Sequence, residues 1–390
     1  IVFGDWSSDV CSSDLRAIYL DKSHYNIIQG NYIGVKKNGL DPAGNGWTNE
    51  WQAYPTEHRP DALEGVFITN SSRGNLIGGL LSGCGNVIAA NLRAGLRLEA
   101  TGSDSNRIIG NYIGVAADGE TAMANGEAGL WIANISTGRG PAYNLIEGNV
   151  VSANFSSGIQ MRWGSYHNTV RRNLIGLNAD GTRALPNSHN GIYFFGRPDK
   201  GYPQYNEVGP DNVILADGED STNDPWAAVR IDDPESSYNQ IFSNYLGRNA
   251  DGTVVSTHNS GVYISKGAHH NTVGPNNTIS GNRYGVWIRH DSMVCNTITA
   301  NRIAGMEEAA IFLQDGANSN IPAPEIVSAS PTLVSGRTIA NGIVELFSGP
   351  PGETDQFLAQ VDADTAGNFT WQGMMGESWV TATVRDSAGN

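Results

Sequence analysis

Arg162, Arg230 and Asp232 are the side chains whose types and spacing most resemble a reactive cluster. They fall at alternating positions of repeated apolar segments, which places them on one face of neighbouring strands within about 10 Å. Elimination from a uronate needs a base, often Arg or Lys, and a cation or acid to neutralise the sugar carboxylate. These three residues could supply both. Glycoside hydrolysis needs two carboxylates, about 5.5 Å apart for retention or roughly 6.5–9.5 Å for inversion. For Asp232 the second acid would come from Asp217, Glu219, Asp220 or Asp224 on the preceding loop; Asp233 follows directly. Glu99 lies four repeats away, about 19 Å at the strand spacing, and cannot be that partner. The plainer alternative is a surface ion pair, worth little, beside a solvated acidic loop. No metal-ligand spacing, phosphate loop or Gly-x-Ser-x-Gly elbow occurs, and His269 and His270 read as corner surface.

The strands that must carry this cluster announce themselves as a repeat. A Gly/Ala-Φ-x-Φ unit, where Φ is apolar, begins at Ala17, Gly65, Gly95, Gly129, Gly158, Gly191, Ala228, Gly261, Gly285 and Ala310. After the first, the starts lie 24 to 37 residues apart, a period typical of stacked solenoids. The shortest unit, Gly261–Tyr284, holds three short strands with period-two apolar residues separated by Gly/Asn corners. Three strands closing about 24 residues make one coil of a parallel β-helix, and the Gly and Asn density rules out helices.

Alternation then exposes an outer row at the x positions: Tyr19, Phe67, Arg97, Trp131, Gln160, Tyr193, Arg230, Tyr263, Trp287 and Phe312. Two residues on, the same face carries Asp21, Thr69, Glu99, Ala133, Arg162, Phe195, Asp232, Ser265, Arg289 and Gln314. Flat aromatics suit sugar rings, and Arg and carboxylates suit hydroxyls. Phe67, Arg97, Trp131, Gln160, Tyr193, Tyr263 and Trp287 are therefore the candidate binding residues for a polymer. The competing reading is that these aromatics stack on one another or lie beneath inserted loops.

Asn26, Asn75, Asn106, Asn144, Asn168, Asn206, Asn239, Asn271 and Asn296 recur at one corner. Asn accepts left-handed backbone and can bond to the coils above and below, so these are structural. Alternate coils add an insertion with Asn38-Gly39, Asp118-Gly119, Asp180-Gly181 or Asp251-Gly252, which reads as a small β-ribbon rather than a calcium loop. The longest insertion, Leu40–Pro60, holds Trp47, Trp51, Tyr54 and His58, and could be a lid, a partner contact or a cap.

Asp5–Leu15 reads as the translation of a sequencing adapter, the alternative being a Ser/Asp-rich linker; residues 1–15 are therefore set apart as non-native. The net charge of −15 argues against nucleic-acid binding, and no apolar run is long enough to span a membrane. Cys84 and Cys295 fall on repeats too distant to be bridged. Composition changes at Pro322 and Pro324. The division expected is a β-helix over 16–320 and a smaller β-sandwich over 321–390, incomplete at its end. Asp362–Asn368 could hold calcium, though a Gly/Asn hairpin is the simpler reading.

The repeat resembles the secreted bacterial right-handed parallel β-helix proteins of the pectate-lyase-like superfamily. The C-terminal segment resembles bacterial immunoglobulin-like modules. The resemblance implies an extracellular or cell-surface protein with a polysaccharide or surface glycan as partner. It implies no activity, because that fold hosts lyases, hydrolases, epimerases, tailspikes and adhesins. Three functions stay open: a polysaccharide-binding or adhesive face, a lyase or glycoside hydrolase on the same face, and a stalk without ligand.

Overall fold

The computed structural model describes residues 17–44, 63–135, 137–216, 225–255, 259–290, 294–350, 353–376 and 379–390. Asp5–Leu15, the Trp47–His58 insertion and the acidic loop Asp217–Asp224 lie outside the described residues.

Three parallel sheets run the length of the repeat. The first has ten strands, from Ile18–Asp21 to Ala309–Gln314, and the second and third have nine each. The first nine coils each contribute one strand to each sheet, in chain order, and the tenth adds Ala309–Gln314 to the first sheet alone, giving a right-handed parallel β-helix. The x position of every coil pairs with that of the next, as in Tyr19–Phe67, Trp131–Gln160 and Tyr263–Trp287. The Φ positions point inward, and Val66, Leu96, Leu130, Ile159, Ile192, Val229, Val262 and Val286 form one fully buried column. Each such side chain contributes about 1.5–3 kcal/mol of hydrophobic stabilisation.

The corner asparagines make a continuous ladder. Asn144 donates its backbone N–H and its Nδ2 to Asn168 Oδ1, at 3.0 and 2.9 Å, and Asn168 repeats this with Asn206. The ladder runs one step beyond its sequence signature, with Asn296 N donating to Asn318 Oδ1 at 3.2 Å. A second ladder links Asn31, Asn86, Asn111, Asn149, Asn173, Asn212, Asn244, Asn277 and Asn301. A shorter third one joins Asn91, Asn125, Asn154 and Asn187. Corners are where the sheet hydrogen bonds stop, so a side-chain amide in each coil satisfies buried groups that the strands leave over.

The four insertions are ribbons, bridged at Val35–Pro42, Val115–Ala122, Leu177–Ala184 and Arg248–Val254. They stack on each other: Ala117 N donates to Gly39 O, Ala179 N to Gly119 O and Ala250 N to Gly181 O, at 2.9–3.0 Å. Glycine at the turn is needed twice over. Gly119 has φ +71°, and a Cβ there would lie 2.4 Å from that of Ala179. Two ribbon arms stacked along the axis occupy about 9.6 Å, or two coils, which is why ribbons arise only from alternate coils.

Beyond Pro324, two three-stranded antiparallel sheets pack around Val334, Val344, Leu346 and Phe369. Asp364 Oδ1 accepts from the N–H of Ala366 and of Asn368, closing the Asp362–Asn368 turn as a capped hairpin. This unit seals part of the solenoid's end. Ile303 and Thr354 exchange both backbone hydrogen bonds at 3.0 Å on the edge of the third sheet. Beside the second sheet, the buried Glu345 accepts from Ala300 N at 2.7 Å, from Thr299 Oγ1, and from Arg385 Nη1 at 2.8 Å. Cys84 and Cys295 are unbridged.

Candidate functional site

The outer row of the first sheet is a stacked ladder. Tyr19 and Phe67 stack with ring centroids 5.6 Å apart, and the Arg97 guanidinium sits over Phe67 at 5.1 Å and over Trp131 at 4.5 Å. Further along, Arg230 lies 5.2 Å from the Tyr193 ring and 5.3 Å from that of Tyr263, which meets Trp287 at 5.0 Å. In-register pairing forces the row into contact, because neighbouring strands are about 4.8 Å apart. The row does not form the open strip that alternation suggests. Phe67, Trp131, Tyr263 and Trp287 are buried, while Gln160 and Tyr193 are half-buried. Their flat faces are largely taken by their neighbours.

Both arginines of the row are neutralised within the fold. Arg97 pairs with Glu64 at 2.9 Å and with Glu99. Arg230 donates Nε and Nη2 to Asp232 Oδ2 at 3.0 and 2.8 Å. Tyr193 OH at 2.8 Å and Lys266 Nζ at 2.9 Å reach the same oxygen, and Ser265 Oγ reaches Oδ1 at 2.6 Å. Asp232 is 0% exposed and Arg230 1%. Burial works to raise the Asp232 carboxyl, but the charge of Arg230 and the bonds from Arg230, Lys266 and Ser265 outweigh it and hold it below the usual carboxylate range. A carboxylate so saturated with donors is a poor proton acceptor or donor. The surface ion pair anticipated from sequence is instead a buried one, and Asp232 belongs to the scaffold. Burial, followed by the charge of Asp232, pushes the Tyr193 phenol up, so it stays a neutral donor.

Arg162 is not part of that network. Its guanidinium lies 4.3 Å from the Trp131 ring, 4.2 Å from Trp163 and 4.3 Å from Phe195. Its polar contact is a long one, Nη1 to Gln160 Oε1 at 3.4 Å, and its buried Nε makes no hydrogen bond. Among the described residues no carboxylate comes within ion-pair distance of it. Burial, only partly offset by Glu127 and reinforced by Arg97, pulls it down to about 9. Arg162, Gln160, Trp163, Tyr193 and Phe195 are all half-buried, and Arg197, exposed, sits 5.7 Å over Trp163. The three residues grouped as a reactive cluster thus separate into a buried pair, Arg230–Asp232, and a cation in an aromatic box with no carboxylate at ion-pair distance.

A second aromatic ladder escaped the sequence reading. The residue before each corner asparagine has a left-handed backbone, and from Tyr143 to His270 it is aromatic in five consecutive coils. Tyr143, His167, Tyr205, Tyr238 and His270 stack with centroids 5.2, 5.2, 4.9 and 5.2 Å apart. Tyr143, Tyr205 and Tyr238 remain exposed. Its mark in the sequence is an aromatic residue directly before the corner asparagine in each of these coils.

Residues 205–334 match a family described as periplasmic copper-binding protein (NosD). No curated protein matches the chain. Among solved structures, the A-module of an Azotobacter vinelandii mannuronan C-5 epimerase is similar at 13% identity, covering 66% of this chain and 67% of that one, with a TM-score of 0.40. The tailspike protein of E. coli bacteriophage HK620, in complex with a pentasaccharide, matches at 9% identity over 83% of this chain and 70% of its own, with a TM-score of 0.33. A pectate lyase matches at 13% identity over 80% of each chain, with a TM-score of 0.28. Among the described residues no three His, Cys, Asp or Glu group as metal ligands.

Proposed function

We propose that the first sheet's outer face, centred on Arg162, binds an anionic polysaccharide outside the cytoplasm, with the C-terminal unit acting as an immunoglobulin-like spacer. The observation that carries this is the state of Arg162: a half-buried cation held on three aromatic rings, lacking the carboxylate that Arg97 and Arg230 each possess. Taking a guanidinium out of water without a counter-charge is costly. A sugar carboxylate presented to Arg162 would supply that charge, and Trp163 and Phe195 would flank the ring. The partial match to a family described as periplasmic supports the compartment.

The reading is tested by titrating the chain with polygalacturonate, alginate and uncharged dextran, alongside an Arg162→Gln variant. Charged hydrogen bonds contribute about 1.5–3 kcal/mol, so the variant should lose roughly 10- to 100-fold in affinity for the acidic polymers while melting at or above the parent temperature. Equal affinity for dextran, or an unaltered variant, would refute it.

The second reading is an enzyme on the same face, because Arg162 lies on three aromatic rings with no carboxylate at ion-pair distance and could face the carboxylate of a bound uronate. The same titrations, read for new unsaturated ends that vanish in Arg162→Gln, distinguish an eliminating lyase from a binding module.

A further inference from the structure

From the second coil to the ninth, among the described residues, the outer face of the first sheet is half-buried in both its columns at two coils alone. Gln160 and Arg162 in the fifth coil and Tyr193 and Phe195 in the sixth make up this window. Trp131 and Ala133 bound it on one side and Arg230 and Asp232 on the other, all buried. Along the solenoid axis it therefore closes after two coils, about 9.6 Å. Along the strands it continues past both ends. Trp163 follows Arg162 directly, half-buried, with the Arg197 guanidinium 5.7 Å over its ring. Ser156 and His189 lie before the strands Ile159–Arg162 and Ile192–Phe195, and His189 N donates to Ser156 O at 3.3 Å, which keeps the two in register.

A continuous path of side chains leads from the cation to that second end. Arg162 Nη1 reaches Gln160 Oε1 at 3.4 Å, and Gln160 Nε2 donates to Ser156 Oγ at 3.0 Å. Ser156 Oγ lies 3.3 Å from His189 Nδ1. The His189 ring stacks on Trp226 of the next coil, with centroids 4.3 Å apart and planes 11° from parallel. Every member of this path is half-buried, whereas most rings of the outer row are buried. Tryptophan suits such a half-wet place, because it joins a large apolar body to one N–H donor. The strand between the two ends, Ile159–Arg162, spans about 13 Å, which is longer than the window is wide.

We propose that the acidic polymer lies along the strands of the first sheet, across the solenoid axis, and that Trp226 and His189 form a second contact for a sugar beyond the one whose carboxylate meets Arg162. This rests on the reading of Arg162 as the anchor for an anionic sugar. The Trp226–His189 pair supplies apolar surface, and the Gln160 amide and Ser156 hydroxyl between the two contacts can bond sugar hydroxyls. Arg162 thus selects charge, and Trp226 with His189 selects chain length.

The probes are oligogalacturonates of increasing length, from the dimer upward, titrated against the whole chain and against Arg162→Gln, Trp226→Ala and His189→Ala. Affinity of the parent should rise with length and then level off. In Trp226→Ala and His189→Ala the gain with length should shrink about tenfold while the dimer binds as it does to the parent, which also reports that the variants are folded. Arg162→Gln should weaken every length alike. A gain with length that persists in both ring variants overturns the proposal, as does a parent that does not distinguish lengths. Loss of dimer binding in both ring variants overturns it too, because the pair would then support Arg162 rather than touch a further sugar. The two readings fail separately: an Arg162→Gln variant that binds every length like the parent removes the anchor, whereas a persisting gain with length removes the second contact and leaves Arg162 in place.

Discussion

Replacing Asp232 by Asn should unsettle the molecule more than any single change on the outer face, and the size of the loss follows from what is left behind. The carboxylate accepts from Arg230, Tyr193, Lys266 and Ser265. Lys266 is half-exposed and can turn to water, but Arg230 is 1% exposed and cannot. An amide has no negative charge, and its NH₂ would face donors. Breaking a buried pair from one side costs about 3–5 kcal/mol, most of it from the uncompensated charge. Removing both charges with Arg230→Met and Asp232→Leu should restore most of that loss, because well-packed apolar residues often replace a buried pair at little cost. Acid should act like the single variant. The carboxyl is depressed in the fold, so its stabilisation is present above the unfolded value near pH 4 and disappears as the pH falls through the folded one. The assay is denaturant unfolding of the parent, both singles and the double, with hydrogen exchange in the coils around residues 190–265 to locate the change. A double variant as unstable as Asp232→Asn would refute the argument, as would a single loss under about 1 kcal/mol. Retained glycan binding by a folded double variant would place Asp232 outside any site.

Binding of acidic polymer should weaken as the pH rises through about 9, where Arg162 loses its charge; affinity measured from pH 7 to 10 checks this, and a flat profile would exclude Arg162 as the anchor. Tyr205 has φ +55° and stacks on His167 and Tyr238. Tyr205→Gly should therefore be more stable than Tyr205→Ala by up to about 1 kcal/mol, the reverse of the usual order, as read by unfolding midpoints. Asn206→Ala removes both acceptor and donor from the ladder between Asn168 and Asn239 and should cost about 3 kcal/mol or more, whereas an exposed Asn such as Asn38 should cost under about 0.5 kcal/mol. Glu345→Ala should detach the C-terminal unit from the second sheet, and faster proteolysis at Ile321–Pro324 with an unaltered solenoid melt would register it.

The coils could be read from sequence because one residue type does one job in each: Gly or Ala starts the strand, two Φ residues face inward, and Asn closes the corner. The ribbons were legible for the same reason, through Asp-Gly and Asn-Gly turns. What lies over the outer face was not legible. Alternation assigns Trp131 and Tyr263 to the outside of a sheet but carries no information on what covers that outside. Arg97, Arg162 and Arg230 look alike in sequence, and only their surroundings differ: Glu64 comes from the neighbouring coil, Asp232 follows Arg230 by two residues, and Arg162 has no carboxylate at ion-pair distance among the described residues. The Tyr143–His270 stack is not legible, because the position before each corner asparagine also takes Gly74 and Ser105, so no residue type marks it.

The ribbon column gives the solenoid a parity. Each ribbon bridges the height of two coils and bonds to the ribbon below it, so the molecule can grow or shrink by pairs without breaking the column. Excising 95–157, which joins Ala94 to Gly158, removes one ribbon and two coils and brings Gly39 against Ala179. Excising 95–128 removes the same ribbon with a single coil and leaves the next ribbon about 4.8 Å too far away. The first deletion should keep a single cooperative melt and the second should not. Length in this protein is thus counted in twos, a unit set by its decoration rather than by its core.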